Sequence, residues 1–512
     1  MTAHRPEARV RDPRRWWTLG FALLAVTVTV IDNTVLTVSI PQIMRDLDTN
    51  VAGVQWIFTG YALAFASLLV IGGRLGDIYG PQRMVIVGSA LFGFGSLLAS
   101  VATSMPQMLL GEAVIEGVGA ALLAPNSLSV LARRFVDGRE RAFVFAAWAS
   151  VIGAAAVTGP LVGGYLTTYH SWRWSFRVNV IIAPVVIVGL LVAGGSERER
   201  GARQQLDVRG ALLIASGMFL VVFGLTQGNS YGWWQPVGAF TIGGGRAWPE
   251  GMPISPVPFA FLVGGALLVL FVLAELTRER AGQHPLFELS QFRHRTFRYT
   301  NISTFFLAFA QLSVSFVIAL YLQQSRHLSP MENGLWVLPS GVALLAGAPV
   351  GGVLSRRLGP TNTMRLGALV NLAGLLGLTF LLSSEVGYWY LLPSLVLYGV
   401  GGGFVSSQMN RILLHDIAPE HTGAASGVHT SARQAATALG VATAGAIFAA
   451  IARTRGVDDA LRPAMLTGVV AVALSAAVLW KLPQIDRHEE VQDEDTAGLY
   501  VLIEPVNARV EA

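Results

Sequence analysis

Three carboxylates lie in stretches where acids are costly. Asp32 falls inside the apolar run VTVIDNTVLTVSIP (28–41), and Glu112 and Glu116 fall inside LLGEAVIEGVGAALL (109–123). An acid at the centre of a membrane helix costs about 2.5–3.5 kcal/mol on insertion scales, which marks it as functional until shown otherwise. Glu112 and Glu116 are four residues apart and share one helical face. Three such acids in a low-dielectric cleft cannot all ionise cheaply, because desolvation and like-charge repulsion favour the neutral form. At least one therefore holds a proton near neutral pH. A cationic guest would favour ionisation and expel that proton, and a returning proton would expel the guest. This is an exchange that needs no ATP, and the chain contains no phosphate-binding loop. Two plainer arrangements stay open. Asp32 could bond the hydroxyls of Thr29 or Thr34, and Glu112 or Glu116 could form an ion pair with Arg177. By depth Glu112 is the nearer partner for Arg177, leaving Glu116 as the better titrating group.

The elements that hold these acids follow from composition. Of 512 residues 53% are hydrophobic and 13% charged, about half the charge of a soluble globular chain, and mean hydropathy is +0.54. The absence of Cys excludes disulfides and thiolate metal sites, and the histidines show no metal-ligand spacing. The net charge of +5 comes from short basic runs between apolar segments, which orient helices in a bilayer and give no nucleic-acid footprint. At about 20 residues per crossing, the apolar runs predict about fourteen membrane helices. They begin near 16, 54, 84, 107, 141 and 174, continue near 209 and 258, and end with six from near 299 to 482. The run after RVRDPRRWW is too long for a signal peptide and has no cleavage site, so it reads as a retained helix.

Arginine placement sets the side. Basic clusters occur at Arg5 to Arg15, Arg133 to Arg141, Arg198 to Arg209, Arg278 to Arg298 and Arg356 to Arg365. All lie at the N-terminus or after even-numbered helices, which puts both termini in the cytoplasm. Helical rise then puts Asp32 roughly 12 Å, Glu112 roughly 8 Å and Glu116 roughly 14 Å below the outer surface. The chain divides into an arm (1–15), a six-helix half (16–195), two inserted helices (209–276) with an outside loop (229–257), a second six-helix half (299–482) and an acidic tail (483–512). An internal repeat supports the halves: GGRLGDIYGP (72–81) matches GGVLSRRLGP (351–360), and GVGA (117–120) matches GVGG (399–402). Parallel repeats about an axis along the membrane normal describe secondary transporters that bind cargo at the midplane between halves.

Further motifs give this pattern a family likeness. Ile31, Asp32, Asn33, Thr34 and Val35 through Pro41 resemble the helix 1 pattern of the fourteen-helix drug–proton antiporter branch of the major facilitator superfamily. Gly73, Leu75, Asp77, Gly80 and Arg83 resemble the superfamily signature between helices 2 and 3. Gly159, Pro160, Gly163 and Gly164 resemble the antiporter signature of helix 5. SWRWSFRVN (171–179) and LDVRGALL (206–213) resemble the branch at the starts of helices 6 and 7. Two departures stand out: Ala113 and Glu116 replace the usual Arg and Gln of the helix 4 signature, and Arg177 occupies a position that is usually apolar.

The resemblance implies an all-α major facilitator fold and a proton-coupled antiporter. Its cargo would be amphipathic, cationic drugs or antibiotics. It implies a multi-pass location in the cytoplasmic (inner) membrane, with the proton gradient as driver and no cofactor. It also implies a gate at Gly73, Asp77, Gly80 and Arg83, and an antiport-direction element at Gly159, Pro160, Gly163 and Gly164. Small-residue packing explains the latter glycines equally well. Asp32, Glu112 and Glu116 would couple protons, and Asn33, Trp56, Tyr61, Asn126 and Trp148 would line the cargo site, since aromatic faces attract organic cations. Trp16, Trp17 and Trp172 read as interfacial anchors. Partners would be protons, small molecules and lipid, with no nucleic acid and no second subunit. The competing readings are an exporter of one endogenous metabolite such as a self-made antibiotic, an uptake facilitator, and a membrane-embedded enzyme using paired carboxylates.

Overall fold

A computed structural model describes residues 14–485, except 136–137, 194–206, 238–239, 243–244, 249–251, 284, 286, 384–385 and 418–421. The N-terminal arm up to residue 13 and the acidic tail from 486 lie outside the described residues. Fourteen helices are long and apolar enough to cross a membrane. The first six are α1 (Arg15–Asp46), α2 (Val51–Tyr79), α3 (Pro81–Ser100), α4 (Met105–Arg134), α5 (Gly138–Tyr169) and α6 (Arg173–Ala193). Then come α7 (Val208–Tyr231) and α8 (Pro256–Arg280). The last six are α9 (Arg295–Gln324), α10 (Pro330–Leu358), α11 (Pro360–Leu381), α12 (Tyr388–Leu413), α13 (Thr422–Arg455) and α14 (Val457–Leu479). The loop between α7 and α8 carries a two-stranded antiparallel hairpin, Phe240–Ile242 with Gly245–Trp248. We call the side of the bundle with Arg15 and Leu479 the terminal side, and the other the distal side.

The sequence repeat is also a repeat of contacts. Gly80 and Gly359 both adopt left-handed backbone, with φ of 97° and 80°, and each is followed by a proline that starts the next helix. Only glycine takes that turn without strain. A Cβ at Gly117 would stand 2.8 Å from Ala64 on α2, and one at Gly119 would stand 2.6 Å from the Phe92 backbone on α3. Their counterparts behave alike. A Cβ at Gly399 would press Ser340 and Ala343 on α10, and one at Gly401 would run into the Asn371 backbone on α11. Small residues at these positions let backbones meet where no apolar driving force separates helix from lipid.

The halves meet along two seams, α2 with α13 and α5 with α10. Among the described residues, the side-chain hydrogen bonds between the halves all lie toward the distal side. Gln55 Nε2 donates to the carbonyls of Val441 (2.9 Å) and Ala442 (3.1 Å). Gln323 Nε2 donates to Val38 O (2.9 Å), and Met331 N donates to Thr168 Oγ1 (3.0 Å). Polar ties between the halves are thus concentrated on the distal side, while apolar packing of Val70 and Ile71 with Leu413, Ala425 and Val428 joins them on the terminal side. The inserted pair covers the first seam: Met218 and Val222 of α7 pack with Ala62 and Leu63 of α2 and with Ala438 and Ala442 of α13. On the terminal side Asp207 caps α7 at Gly210 N (2.9 Å) and pairs with Arg278 of α8 (3.1 Å). Arg74 of α2 donates to Pro285 O just beyond α8, so the insertion is anchored to the first half.

Candidate functional site: a buried carboxyl cluster

The three acids do come together. One carboxylate oxygen from each of Asp32, Glu112 and Glu116 lies within 4.8 Å of the others, and the residues are 2%, 1% and 0% exposed. α1 supplies Asp32. α4 supplies both glutamates from a stretch, Leu109–Glu116, that is wound as a π-helix. Such segments recur at functional sites because the widened turn re-aims side chains. Gly95 and Gly111 permit it, since a Cβ at Gly111 would stand 2.7 Å from Gly95 O.

Asn179 of α6 is the hub. Its Nδ2 donates to Asp32 Oδ1 (2.6 Å), Glu116 Oε1 (3.2 Å) and Ser96 Oγ (3.1 Å), and Ser96 Oγ donates to Glu116 Oε1 (2.6 Å). Asp32 Oδ2, Glu112 Oε2 and Glu116 Oε2 are buried without a hydrogen-bond donor among the described residues. Their polar neighbours are one another, so only a proton carried by one carboxyl can satisfy the next, and an unpaired buried carboxylate oxygen is expensive. The geometry is that of carboxyls sharing protons. A hard cation takes six or more oxygen ligands, whereas the amide here turns its N–H2 toward the acids. The donor set therefore suits protons better than a metal ion.

Arg177 does not join this cluster. Its guanidinium lies 5.2 Å from the Trp174 ring centroid, and among the described residues it forms no ion pair with Glu112 or Glu116. The expected pair fails on helical rotation: Asn179 is two positions beyond Arg177, a turn of about 200°, which places them on nearly opposite faces of α6. Thr34, a candidate partner for Asp32, instead donates to the Val30 and Ile31 carbonyls of its own helix (3.1 and 2.9 Å). Ser96 and Asn179 went unnominated in the sequence reading, although Asn179 closes the SWRWSFRVN stretch and could have been found there. Thermal unfolding in detergent separates the two α6 positions. Arg177→Ala is expected to cost about 1 kcal/mol or less, a cation–π contact. Asn179→Ala should cost about 1–3 kcal/mol, because it strips donors from buried acceptors. The opposite order would overturn this account.

The nominated cargo-site residues scatter. Trp56 packs on the α2–α13 seam beneath the inserted helix α7, 5.4 Å from the Phe219 ring and 6.5 Å from Phe223. Tyr61 is buried inside the first half against Phe65. Asn126 is fully buried and donates to Gly72 O (2.8 Å) and Leu122 O (2.7 Å), tying α4 to α2. Trp148 packs on Leu19, Ala22, Leu131 and Phe135. The side chain of Asn33 lies outside the described residues, as does that of Asp77. Arg83 is exposed on the terminal side, and a Cβ at Gly73 would stand 3.7 Å from Pro125. Trp172, expected at the lipid interface, is buried and donates from Nε1 to Asp46 Oδ2 (2.8 Å).

The helix 5 glycines sit at the meeting of three helices. A Cβ at Gly159 would run into Thr34, and one at Gly163 would stand 2.8 Å from Val35 Cα, both on α1. A Cβ at Gly164 would stand 2.6 Å from Pro330 O, and one at Gly334 would stand 2.5 Å from Pro160 O, so α5 and α10 touch backbone to backbone. One face of α5 thus holds Asp32's helix while the other holds the second half.

Residues 22–441 match the Major Facilitator Superfamily profile. The chain belongs to that family. A probable actinorhodin transporter of Streptomyces coelicolor is 35% identical over 458 residues, 87% of this chain and 75% of that one. The puromycin resistance protein of Streptomyces alboniger is 31% identical over 503 residues, 94% of each chain. A tetracenomycin C resistance and export protein of Streptomyces glaucescens is 30% identical, covering 87% of this chain and 78% of that one. Among solved structures, the nucleoside transporter NupG shares the fold, with TM-score 0.63 at 10% identity over 92% of this chain and 99% of its own. This superfamily member is therefore a polytopic membrane protein of fourteen candidate spans, with the carboxyl cluster enclosed in its first half.

Proposed function

We propose that this superfamily member is a proton-driven exporter of small amphipathic compounds. It sits in the cytoplasmic membrane with both termini inside. It is a carrier and not an enzyme, acts as a monomer without a cofactor, and binds no nucleic acid. The observation that carries the reading is the set of three buried carboxyls whose free oxygens have only one another as partners. The relatives named for resistance to, or transport of, actinorhodin, puromycin and tetracenomycin C support antibiotics as the cargo class. Since each of those names carries one compound, a dedicated exporter of a single antibiotic is the second reading.

The burial of the cluster bears on the coupling. Direct competition between proton and cargo, the first expectation, requires the acids to face the cargo, but here α3 and α6 help wall them in. Coupling through packing fits better. Loss of a proton leaves carboxylate oxygens without donors, and α1 must shift to admit water. One turn beyond Asp32 on α1, Val35 lies against Gly163 of α5, and Val38 accepts from Gln323 of α9. A shift of α1 is thus felt directly at its bond to the second half and, through α5, where Gly164 and Pro160 abut α10. With the termini inside, the hydrogen bonds that tie α1, α2 and α5 to the second half lie on the outer side. The test is movement of amphipathic dyes in proteoliposomes under an imposed pH gradient. Dye flux should follow the gradient, carry protons in the opposite direction and vanish with an uncoupler. Dye flux indifferent to the uncoupler would overturn the proposal.

A further inference from the structure

Arg433 stands in the membrane-spanning part of α13, between Ala425 and Arg455. It is half-buried, and among the described residues it has neither an ion pair nor a hydrogen bond. Sequence reasoning passed it over. Yet an arginine inside a membrane helix is as costly as an acid there and demands a reason. Among the described residues the second half offers it none: Glu332, Asp458 and Asp459 lie in first turns at the distal end, and Asp416, just beyond α12, is bonded to Thr296 and His415.

Its level is fixed by contacts on either side. α13 meets α2 at Val441, which accepts from Gln55, and at Gly427, where a Cβ would stand 3.5 Å from Val70. Uniform rise between these points sets Arg433 about level with Ala64. Ala64 is the residue against which Gly117 packs, and Gly117 follows Glu116. This intramembrane arginine of the second half therefore lies at the height of the carboxyl cluster of the first half.

Its direction follows from the same helix. α13 turns His429 and Gly440 toward α9: His429 Nδ1 is 3.0 Å from Asn301 Oδ1, and Gly440 abuts Phe309. It turns Gly427 and Val441 toward α2, while Ala438 and Ala442 face α7. By helical rotation Arg433 falls between the α9 and α2 directions, on the arc away from α7. That arc looks into the space between the halves.

We infer that Arg433 binds the anionic group of the cargo, so that the transported compounds are amphipathic acids or zwitterions bearing a carboxylate or similar planar oxyanion. A guanidinium is permanently charged and presents a planar fork that pairs with two oxygens at once, which an ammonium does not. The proton acids are sealed within the first half, so a cationic compound between the halves would meet Arg433 and no exposed acid at its level. This charge is opposite to the one expected from the acids alone. The inference rests on the reading of the chain as a small-molecule exporter.

A matched pair of probes tests it: rhodamine B, a zwitterion with a free carboxylate, and its ethyl ester, a cation. Binding to the detergent-solubilised full chain is followed by fluorescence polarisation, which does not depend on proton coupling. The wild type should prefer the acid to the ester by tenfold or more. In Arg433→Gln the ratio should fall to near one, and in Arg433→Lys, which keeps the charge and loses the fork, it should be intermediate. Equal binding of both probes by the wild type, or an unchanged ratio in Arg433→Gln, overturns the inference. Should the Gln variant fail to fold, the ratio in the Lys variant decides, an unchanged value counting against. Failure of the proton reading would appear elsewhere, as uncoupler-insensitive flux with the acid preference intact.

Discussion

Replacing Asp32 with Asn should reduce proton-driven dye efflux to the rate of protein-free vesicles, while the variant still inserts and melts near the wild-type temperature. Asn is close to the size of a protonated Asp, and its carbonyl can still accept from Asn179, as Asp32 Oδ1 does at 2.6 Å. The cluster can therefore close as before. What is lost is the ability to release a proton, and with it the event that would move α1. The neighbouring acids should rank below it. Glu116 has Ser96 and Asn179 as donors to one oxygen, so its anion is partly supported and Glu116→Gln should impair strongly. Glu112 is buried, its Oε2 has no donor among the described residues, and neither Ser96 nor Asn179 reaches it. It has the most reason to stay protonated throughout the cycle, and Glu112→Gln should be the mildest of the three. The measurement is initial efflux rate under a fixed pH gradient, with melting followed separately. Wild-type efflux from the Asp32→Asn protein would remove the cluster from the mechanism.

Enlarging Gly163 should stop transport from a different direction. A Cβ there would stand 2.8 Å from the Cα and O of Val35, which are backbone atoms that cannot swing aside. Gly163→Ala is expected to lower stability by about 1–3 kcal/mol, the usual cost of overpacking a tight contact. Gly163→Leu should pry α5 from α1 and abolish efflux, even where the protein remains in the membrane. Because Val35 lies one turn from Asp32, the Leu variant should also disturb the bond to Asn179. Melting temperature and efflux are measured on both variants. A Leu variant with wild-type efflux would show that α5 and α1 need not touch for transport.

Much of the fold could be read without coordinates. A bilayer demands about 20 apolar residues per crossing, so fourteen spans emerge from hydropathy alone. The π-wound stretch, the hairpin between α7 and α8 and the docking of the inserted pair on the α2–α13 seam could not. The repeat was legible because its glycines are steric necessities: Gly80 and Gly359 turn the chain the same way in both halves.

The site divides along the same line. That Asp32, Glu112 and Glu116 matter follows from sequence, since burying an acid in lipid is costly enough to require a return. Which donor completes them does not. Arg177 had the right charge but sits on the wrong face of α6, while Asn179, two residues on, reaches three partners at once. A hydrogen-bond partner is chosen by rotation about a helix axis and by which helices pack side by side. Neither is written in the spacing of one segment. For the same reason Trp56, Tyr61 and Asn126 were plausible cleft residues by type and proved to be packing residues by direction. Arg433 was merely one more basic residue until α13 was seen turning it between α2 and α9. The sequence alone determined how many helices there are and which residues carry the cost of charge in a membrane. The tertiary structure decided which of those charges meet, which stay alone and which side of each helix faces the space between the halves, because only packing fixes rotation.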